Sequence, residues 1–321
     1  MFHEFKKDVD KVRKEVGKVI VGQKDIINGL LRAVLSNGHV LIEGVPGVAK
    51  TLLIRSLGEA AGVLTKRIQF TVDLLPTDIT GVTIYNEKLK NYTVVKGPLF
   101  ANFIIADEIN RSPPKVQSAL LEAMQERQVT IGRKTFELPK PFFVMANNNP
   151  IESSGVYPLP EAQLDRFLFK LSITYPSTNE LEEIIEKNVN LKEFADYNIR
   201  PVISPERIIQ MQEATKQVKY TNLIKKYIVD IVNATRDHKK YNIDFGRYIE
   251  WSASPRAAIN LFIGAKADAI LQGKDYISPQ NIKNVAYDVM RHRIILNYKG
   301  EAEKIKTDDI IKEILHKVPI P

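Results

Sequence analysis

The sequence predicts an α/β fold, in which a parallel sheet with helices on both faces (αβα) is followed by a smaller all-helical domain. In the first half, unbroken apolar runs of strand length alternate with stretches of helical periodicity, as is typical of covered parallel sheets. A glycine-containing turn joins the first such run to a helical stretch. Strand-like runs end at about residue 176. We therefore expect an α/β domain at 1–176 and a helical domain at 177–321.

Three apolar runs predict strands of the sheet: His39–Ile42, Phe103–Ala106 and Pro141–Ala146. Phe167–Ile173 is predicted as a further strand. Alternation around short polar turns predicts two hairpins, Val82–Tyr85 with Tyr92–Val95 and Val129–Ile131 with Thr135–Leu138. These hairpins are either projections that touch a substrate or plain sheet edges, and the residues leave both interpretations open.

The second half carries apolar stripes at three- and four-residue spacing, which predict amphipathic helices. Three Ser-Pro pairs mark helix starts, because serine caps the free N–H groups and proline suits the first helical position. These pairs are Ser204-Pro205, Ser254-Pro255 and Ser278-Pro279.

Composition narrows the class of protein. The chain has 321 residues, 44% of them apolar and 26% charged, as expected of a globular protein. It contains no cysteine, which excludes disulfides, thiolate metal sites and cysteine nucleophiles and fits a reducing cytosol, so we expect a cytoplasmic protein. No run of about 20 apolar residues occurs, so we expect no membrane span. The net charge of +8 fits either a nucleic-acid partner or dispersed lysines with an anionic nucleotide ligand. We favour the second interpretation because the sequence has no dense basic run.

A phosphate-binding loop is predicted where an apolar run gives way to a helical stretch, the context that a P-loop requires. Lys50 would reach the β- and γ-phosphates, and the Thr51 hydroxyl would bind Mg²⁺. Ala49 replaces the usual glycine, which we expect to be tolerated if this residue is already near helical geometry. The predicted nucleotide-binding residues here are Gly44, Val45, Pro46, Gly47, Val48, Ala49, Lys50, Thr51 and Leu52.

An apolar strand that ends in two adjacent carboxylates, Asp107 and Glu108, follows some 56 residues after the loop. Asp107 would hold Mg²⁺ directly or through water, and Glu108 would act as general base on the attacking water. Open α/β sheets bind their ligands at the carboxyl ends of strands, where these two residues are expected. The predicted cofactors are therefore ATP and Mg²⁺.

Four segments carry a family resemblance: Leu41–Thr51, Leu74–Gly81, Asp107–Arg111 with Ser118–Met124, and Tyr157–Phe167. Together they resemble the MoxR family of AAA+ ATPases, in the helix-2-insertion branch that also includes magnesium-chelatase ATPase subunits. The resemblance implies a P-loop AAA+ domain followed by a helical lid. It further implies a homo-oligomeric ring with sites shared between neighbouring subunits, and a hexamer is the expected assembly.

The resemblance also assigns roles to particular residues. Val21 and Gly22 match the motif that lines the adenine pocket, and Asn149 matches the polar sensor that orients the attacking water. The choice among Asn147, Asn148 and Asn149 stays open. Arg166 matches the arginine finger that acts on the γ-phosphate of the adjacent subunit. Arg256 matches the second sensor, which the lid delivers onto the phosphates.

The family also suggests partners. Its members commonly work with proteins that bear a von Willebrand factor A domain, so we expect a protein client that is remodelled or assisted in assembly or cofactor insertion. Two alternatives keep the ATPase core and change the client. One is a motor stimulated by nucleic acid, which the lack of a dense basic patch disfavours, and the other is a metal-chelatase-type subunit.

Overall fold

The computed structural model of the chain describes residues 1–45, 47–88, 90–148, 156–187 and 193–321. Its strands are β1 (Val40–Gly44), β2 (Thr65–Gln69), β3 (Gly81–Asn86), β4 (Asn91–Lys96), β5 (Phe103–Asp107), β6 (Gln128–Ile131), β7 (Lys134–Glu137), β8 (Phe143–Asn148), β9 (Phe169–Ile173), β10 (Ile249–Trp251) and β11 (Ile295–Leu296). Its α-helices are α1 (Phe2–Val16), α2 (Lys24–Leu35), α3 (Lys50–Ala60), α4 (Pro76–Thr80), α5 (Pro114–Glu126), α6 (Glu161–Leu164), α7 (Thr178–Lys187), α8 (Pro205–Gln217), α9 (Asn222–Ala234), α10 (Pro255–Leu271), α11 (Pro279–Met290), α12 (Tyr298–Ala302) and α13 (Thr307–Lys317).

A five-stranded parallel sheet in the order β2-β5-β8-β1-β9 forms the centre of the first part, which confirms the predicted fold class. The runs predicted as strands lie in β1, β5, β8 and β9, with β5 buried along its whole length. Gln69 is paired in register with Asp107, and Ala106 with Ala146. The carboxyl ends of β2, β5 and β8 therefore meet at one edge of the sheet, next to the turn that follows β1.

Both predicted hairpins are present, as the antiparallel pairs β3–β4 and β6–β7. The β3–β4 hairpin exposes large apolar side chains, and the rings of Tyr85 and Tyr92 pack edge to face at 5.4 Å between centroids. The hairpins are separate two-stranded sheets and do not extend the central one.

The second part is mainly helical, and α8, α10 and α11 begin directly after Ser204, Ser254 and Ser278, as the Ser-Pro pairs predict. It also contains a short antiparallel sheet of β10 and β11. Helical periodicity does not predict these strands, because they are only three and two residues long and the pairing is interrupted by an irregularity.

The described residues form two hydrophobic clusters, and one of them runs through both parts of the chain. Buried side chains of α1, α2, α3, β1 and β9 belong to the same cluster as those of α8 to α11 and α13. Gly264 lets α10 lie close to β9, since a Cβ at this position would come within 2.9 Å of the Phe169 ring. A buried ion pair between Arg32 of α2 and Asp268 of α10, at 2.7 Å, adds a polar contact. In the part of the chain described here, no helix is both long and apolar enough to cross a membrane.

Candidate active site

The turn between β1 and α3 has the backbone geometry of a phosphate-binding loop. Lys50 is the first residue of α3, so the free N–H groups of the helix start face the turn. Gly47 has φ 82° and Ala49 has φ 58° with ψ 30°. The condition for tolerating alanine, a geometry near that of a helix, is not met, because Ala49 adopts the left-handed conformation that favours glycine. Pro46 lies outside the described residues.

A cavity of about 480 Å³ opens beside this turn. It is lined by Gly47, Val48, Ala49, Lys50, Thr51, Leu52, Arg67, Gln69, Asp107, Glu108 and Asn147. Lys50 donates from Nζ to the Gly44 carbonyl oxygen at 2.5 Å, which folds its side chain back over the turn. Burial lowers the pKa of Lys50, and the nearby carboxylates of Asp107 and Glu43 oppose that effect. A cavity with a cationic side chain and a helix N-terminus suits a polyphosphate.

Asp107 is buried at the end of β5 and is surrounded by donors. The Thr51 hydroxyl donates to its Oδ2 at 3.2 Å, and the amide of Asn147 donates to its Oδ1. Arg67 of β2 also donates from Nε to Oδ2. The hydroxyl and carboxylate oxygens of Thr51 and Asp107 are the hard ligands that Mg²⁺ prefers, so these residues fit the ion. In this conformation, the Arg67 guanidinium supplies positive charge beside Asp107.

Glu108 follows Asp107 with φ 57°, a left-handed conformation that turns the chain sharply after β5. Its backbone N–H donates to Asn147 Oδ1 at 2.7 Å. Its carboxylate accepts a hydrogen bond from Gln69 Nε2 at 2.7 Å and pairs with Arg111 Nε at 3.3 Å. The structure therefore holds Glu108 at the cavity wall through both its backbone and its side chain.

Two side chains of β2, Arg67 and Gln69, were missed by the sequence reasoning. These residues are two positions apart in the strand, so their side chains lie on the same face. Arg67 Nη2 donates a hydrogen bond to Gln69 Oε1 at 2.7 Å. The available signal was the alternation of polar Arg67 and Gln69 with apolar Ile68 and Phe70 in an edge strand.

Asn147, near the end of β8, is one of the three candidates for the polar sensor. Asn149, to which the resemblance assigns this role, lies outside the described residues. Asn147 lines the cavity and contacts both Asp107 and Glu108. The amide that organises the two acidic residues in the described part of β8 is therefore that of Asn147.

The Val21-Gly22 segment lies next to the P-loop, because Gln23 donates from Nε2 to the Val48 carbonyl oxygen at 3.4 Å. Val21 and Gly22 line a second cavity of about 550 Å³, which lies between the first two helices and α7. Gly22 has φ 66°, and a Cβ there would come within 1.9 Å of Glu180 Oε1. The left-handed backbone conformation therefore favours glycine at this position.

Arg166 and Arg256 do not line the cavity beside the P-loop. Both side chains are exposed, and Arg256 pairs with Asp165, the residue before Arg166, at 3.3 Å. The structure thus brings Lys50, Thr51, Asp107 and Glu108 together, as expected, while the two arginines lie around Asp165.

His39 is buried in the core. Its Nδ1 accepts from the Val144 N–H at 3.0 Å, and its Nε2 lies 3.0 Å from the Met124 carbonyl oxygen, to which it donates. Burial holds the pKa of His39 well below its usual value, so the ring is neutral. Among the described residues, no group of three or more histidine, aspartate or glutamate side chains is arranged to hold a metal ion.

Comparison with protein-family models identifies both parts of the chain. The ATPase family associated with various cellular activities (AAA) matches residues 39–169, the segment that contains the P-loop and the acidic strand end. The AAA lid domain matches residues 245–314, which include α10 and α11.

Similar proteins cover nearly the whole chain. The chaperone MoxR1 of Mycobacterium tuberculosis is 44% identical over 96% of this chain and 81% of its own length. The uncharacterised protein YeaC of Bacillus subtilis is 44% identical over 97% of this chain and 94% of its own. The crystal structure of a candidate ATPase from Cytophaga hutchinsonii superposes with a TM-score of 0.93 at 47% identity, covering 100% of this chain and 97% of that one. With this identity over this length, the chain is a member of the MoxR family of AAA ATPases.

Proposed function

We propose that this chain hydrolyses ATP in a Mg²⁺-dependent reaction at the cavity beside the P-loop. The observation that carries the proposal is the meeting of Lys50, Thr51, Asp107 and Glu108 in one cavity. Lys50 and the N-terminus of α3 would bind the phosphates, while Thr51 and Asp107 would hold the ion. Bound Mg²⁺ supplies charge neutralisation for the transferring phosphoryl group.

Glu108 would take a proton from the attacking water. General-base catalysis of this kind contributes roughly 10²- to 10⁴-fold in rate. The hydrogen bond from Gln69 keeps the Glu108 carboxylate at the cavity wall. Loss of this bond would leave the carboxylate free to contact the attacking water. Asn147, Asn148 and Asn149 are the candidates for orienting this water, and Asn149 lies outside the described residues.

We further propose that the site is completed by a second copy of the chain in a homo-oligomeric ring, with six subunits as the expected number. The support is that Arg166 and Arg256 are exposed and lie apart from the cavity-lining residues of their own chain. Arg166 would then stabilise the γ-phosphate of the neighbouring subunit as an arginine finger. Arg256 is held beside it by Asp165, so we place it at the same neighbouring nucleotide.

The proposed task of the ring is to remodel a protein client or to assist its assembly or cofactor insertion. One relative at 44% identity is named a chaperone, which supports a protein as the object of the reaction. A client or adaptor with a von Willebrand factor A domain is the expected partner.

Residues Val21 and Gly22 would line the pocket for the base of the nucleotide.

The test is steady-state ATP hydrolysis by the purified chain, with Glu108→Gln as the blank and with DNA or RNA added in parallel. We expect slow, Mg²⁺-dependent turnover that is lost in Glu108→Gln, whereas ATP binding is retained. Lys50→Ala should lose binding as well. Strong stimulation by nucleic acid would instead support a nucleic-acid motor and contradict a protein client.

A further inference from the structure

A single buried arginine of the lid, Arg293, binds the backbone on both sides of Arg166. Its side chain is 1% exposed and follows the end of α11. Nη2 donates to the Asp165 carbonyl oxygen at 3.1 Å and to the Phe167 carbonyl oxygen at 2.7 Å. Nη1 donates to the Leu168 carbonyl oxygen at 3.3 Å. One guanidinium thus satisfies three carbonyl groups in the four-residue segment that contains Arg166.

The carboxylate of Asp165 completes this arrangement. It accepts from Arg293 Nε at 2.7 Å, from Arg256 Nη1 at 3.3 Å and from the Ser254 hydroxyl at 3.3 Å. Ser254 precedes α10, whereas Arg293 follows α11, so Asp165 is tied to two separate points of the lid. Burial lowers the pKa of Arg293 to about 10, which leaves the side chain charged at neutral pH.

From these contacts we infer that Arg293 is a positioning residue for Arg166. By holding the backbone on both sides of Arg166, it fixes the orientation of the Arg166 side chain at the surface. The inference rests on the proposed role of Arg166 at a neighbouring nucleotide. Because Arg293 belongs to the lid, the lid of one subunit would then control ATP hydrolysis in the neighbouring subunit through Arg166. The planar fork of arginine can hold several carbonyl groups at fixed angles, which the compact ammonium of lysine cannot do.

The discriminating variant is Arg293→Lys, which keeps the charge and removes the fork. A displacement of about 1 Å can cost roughly 10²-fold in rate, so we expect ATP turnover to fall on that scale. The affinity of the same subunit for a fluorescent ATP analogue should stay within about twofold, because its own cavity is formed by the P-loop and strands β2, β5 and β8.

A matched control lies two residues away. Arg291 is also largely buried at the end of α11, but it binds Asp308 and the Lys170 carbonyl oxygen instead of the finger segment. Arg291→Lys should therefore leave turnover close to that of the unmodified chain. Asp165→Asn provides a milder second variant if Arg293→Lys does not fold, since it keeps the buried arginine and its carbonyl partners. It should show reduced turnover with unchanged nucleotide affinity.

Mixing experiments test whether the effect acts between subunits. A Lys50→Ala subunit lacks its own nucleotide but keeps its finger, so it should restore turnover to Arg166→Ala subunits. It should restore turnover to Arg293→Lys subunits in the same way, because these keep an intact cavity. If the Arg166→Ala mixture regains turnover and the Arg293→Lys mixture does not, the positioning role is overturned while the shared site stands. If neither mixture gains turnover, the shared site itself is wrong, and the inference falls with it.

Discussion

The side-chain amide of Gln69 donates a hydrogen bond to Glu108 Oε2 at 2.7 Å. This bond stabilises the carboxylate against the wall of the cavity and competes with its contact to water. Replacement of Gln69 by alanine should therefore raise basal ATP turnover several-fold, whereas the affinity for a fluorescent ATP analogue should not change. If turnover falls with affinity intact, Gln69 aligns Glu108 for catalysis and does not restrain it.

The pairing of Arg67 with Asp107 predicts competition between a side-chain cation and Mg²⁺. Arg67→Gln should lower the Mg²⁺ concentration needed for half-maximal nucleotide binding, because the ion no longer displaces a guanidinium from the carboxylate. The measurement is a Mg²⁺ titration at fixed nucleotide concentration. Lys66→Gln is the matched control, since it removes the same charge from the neighbouring residue, which does not line the cavity. An equal shift in both variants would point to net charge as the cause.

Ala49 predicts a gain in stability from glycine. A residue with a side chain costs roughly 1–2 kcal/mol in the left-handed conformation, while glycine costs about 0.5–1 kcal/mol in additional chain entropy. Ala49→Gly should thus raise the free energy of unfolding by up to about 1 kcal/mol, as measured by denaturant titration. The same substitution at Ala119, inside α5, should lower the free energy of unfolding by about 1 kcal/mol. Destabilisation at both positions would contradict the left-handed geometry of Ala49.

Asp288 predicts a defined pH dependence of stability. Burial raises its pKa to about 6, although Arg291 and Arg32 oppose this and Asp25 adds to it. The folded state then binds more protons than the unfolded state between about pH 4 and pH 6, so this group's contribution to the free energy of unfolding falls as pH rises. Asparagine does not titrate.

The free energy of unfolding of Asp288→Asn, relative to the unmodified chain, should therefore increase from pH 4 to pH 7. The expected change is on the order of 2 kcal/mol, from about 1.4 kcal/mol per unit of pKa shift. Denaturant titrations of both proteins at several pH values measure it. A difference that does not vary with pH would mean that Asp288 has the same pKa in the folded and unfolded states.

The parts of the site that the sequence predicts are those that are local along the chain. Lys50 and Thr51 follow an apolar strand and open a helix, and the Asp107-Glu108 pair ends another strand, so short patterns identify them. Gln69 reaches Glu108 only because β2 lies next to β5. The order of strands in the sheet brings β2 next to β5, and short sequence patterns do not reveal strand order.

Two other features depend on the folded chain as a whole. Arg293 meets Asp165 across 128 residues, and nothing near either residue indicates the contact. The left-handed conformation of Ala49 is imposed by the turn from β1 into α3, against the preference of alanine for helical geometry. Four of the five strands of the central sheet were predictable, since β1, β5 and β8 contain continuous apolar runs and β9 was expected as a further strand. The edge strand β2 was not predicted, because it is mostly exposed and polar.

The hydrophobic core shared by the sheet layer and the lid has a mechanical consequence. Swinging the lid away from its own sheet would expose the packed faces of α2, β9, α10 and α11, at about 25 cal/mol for each Å² of apolar surface. A fragment that stops at residue 176 would expose the same faces permanently and should aggregate. We therefore expect the sheet layer and the lid to move as one rigid body, so that a small displacement at the proposed nucleotide site is transmitted to the far end of the lid.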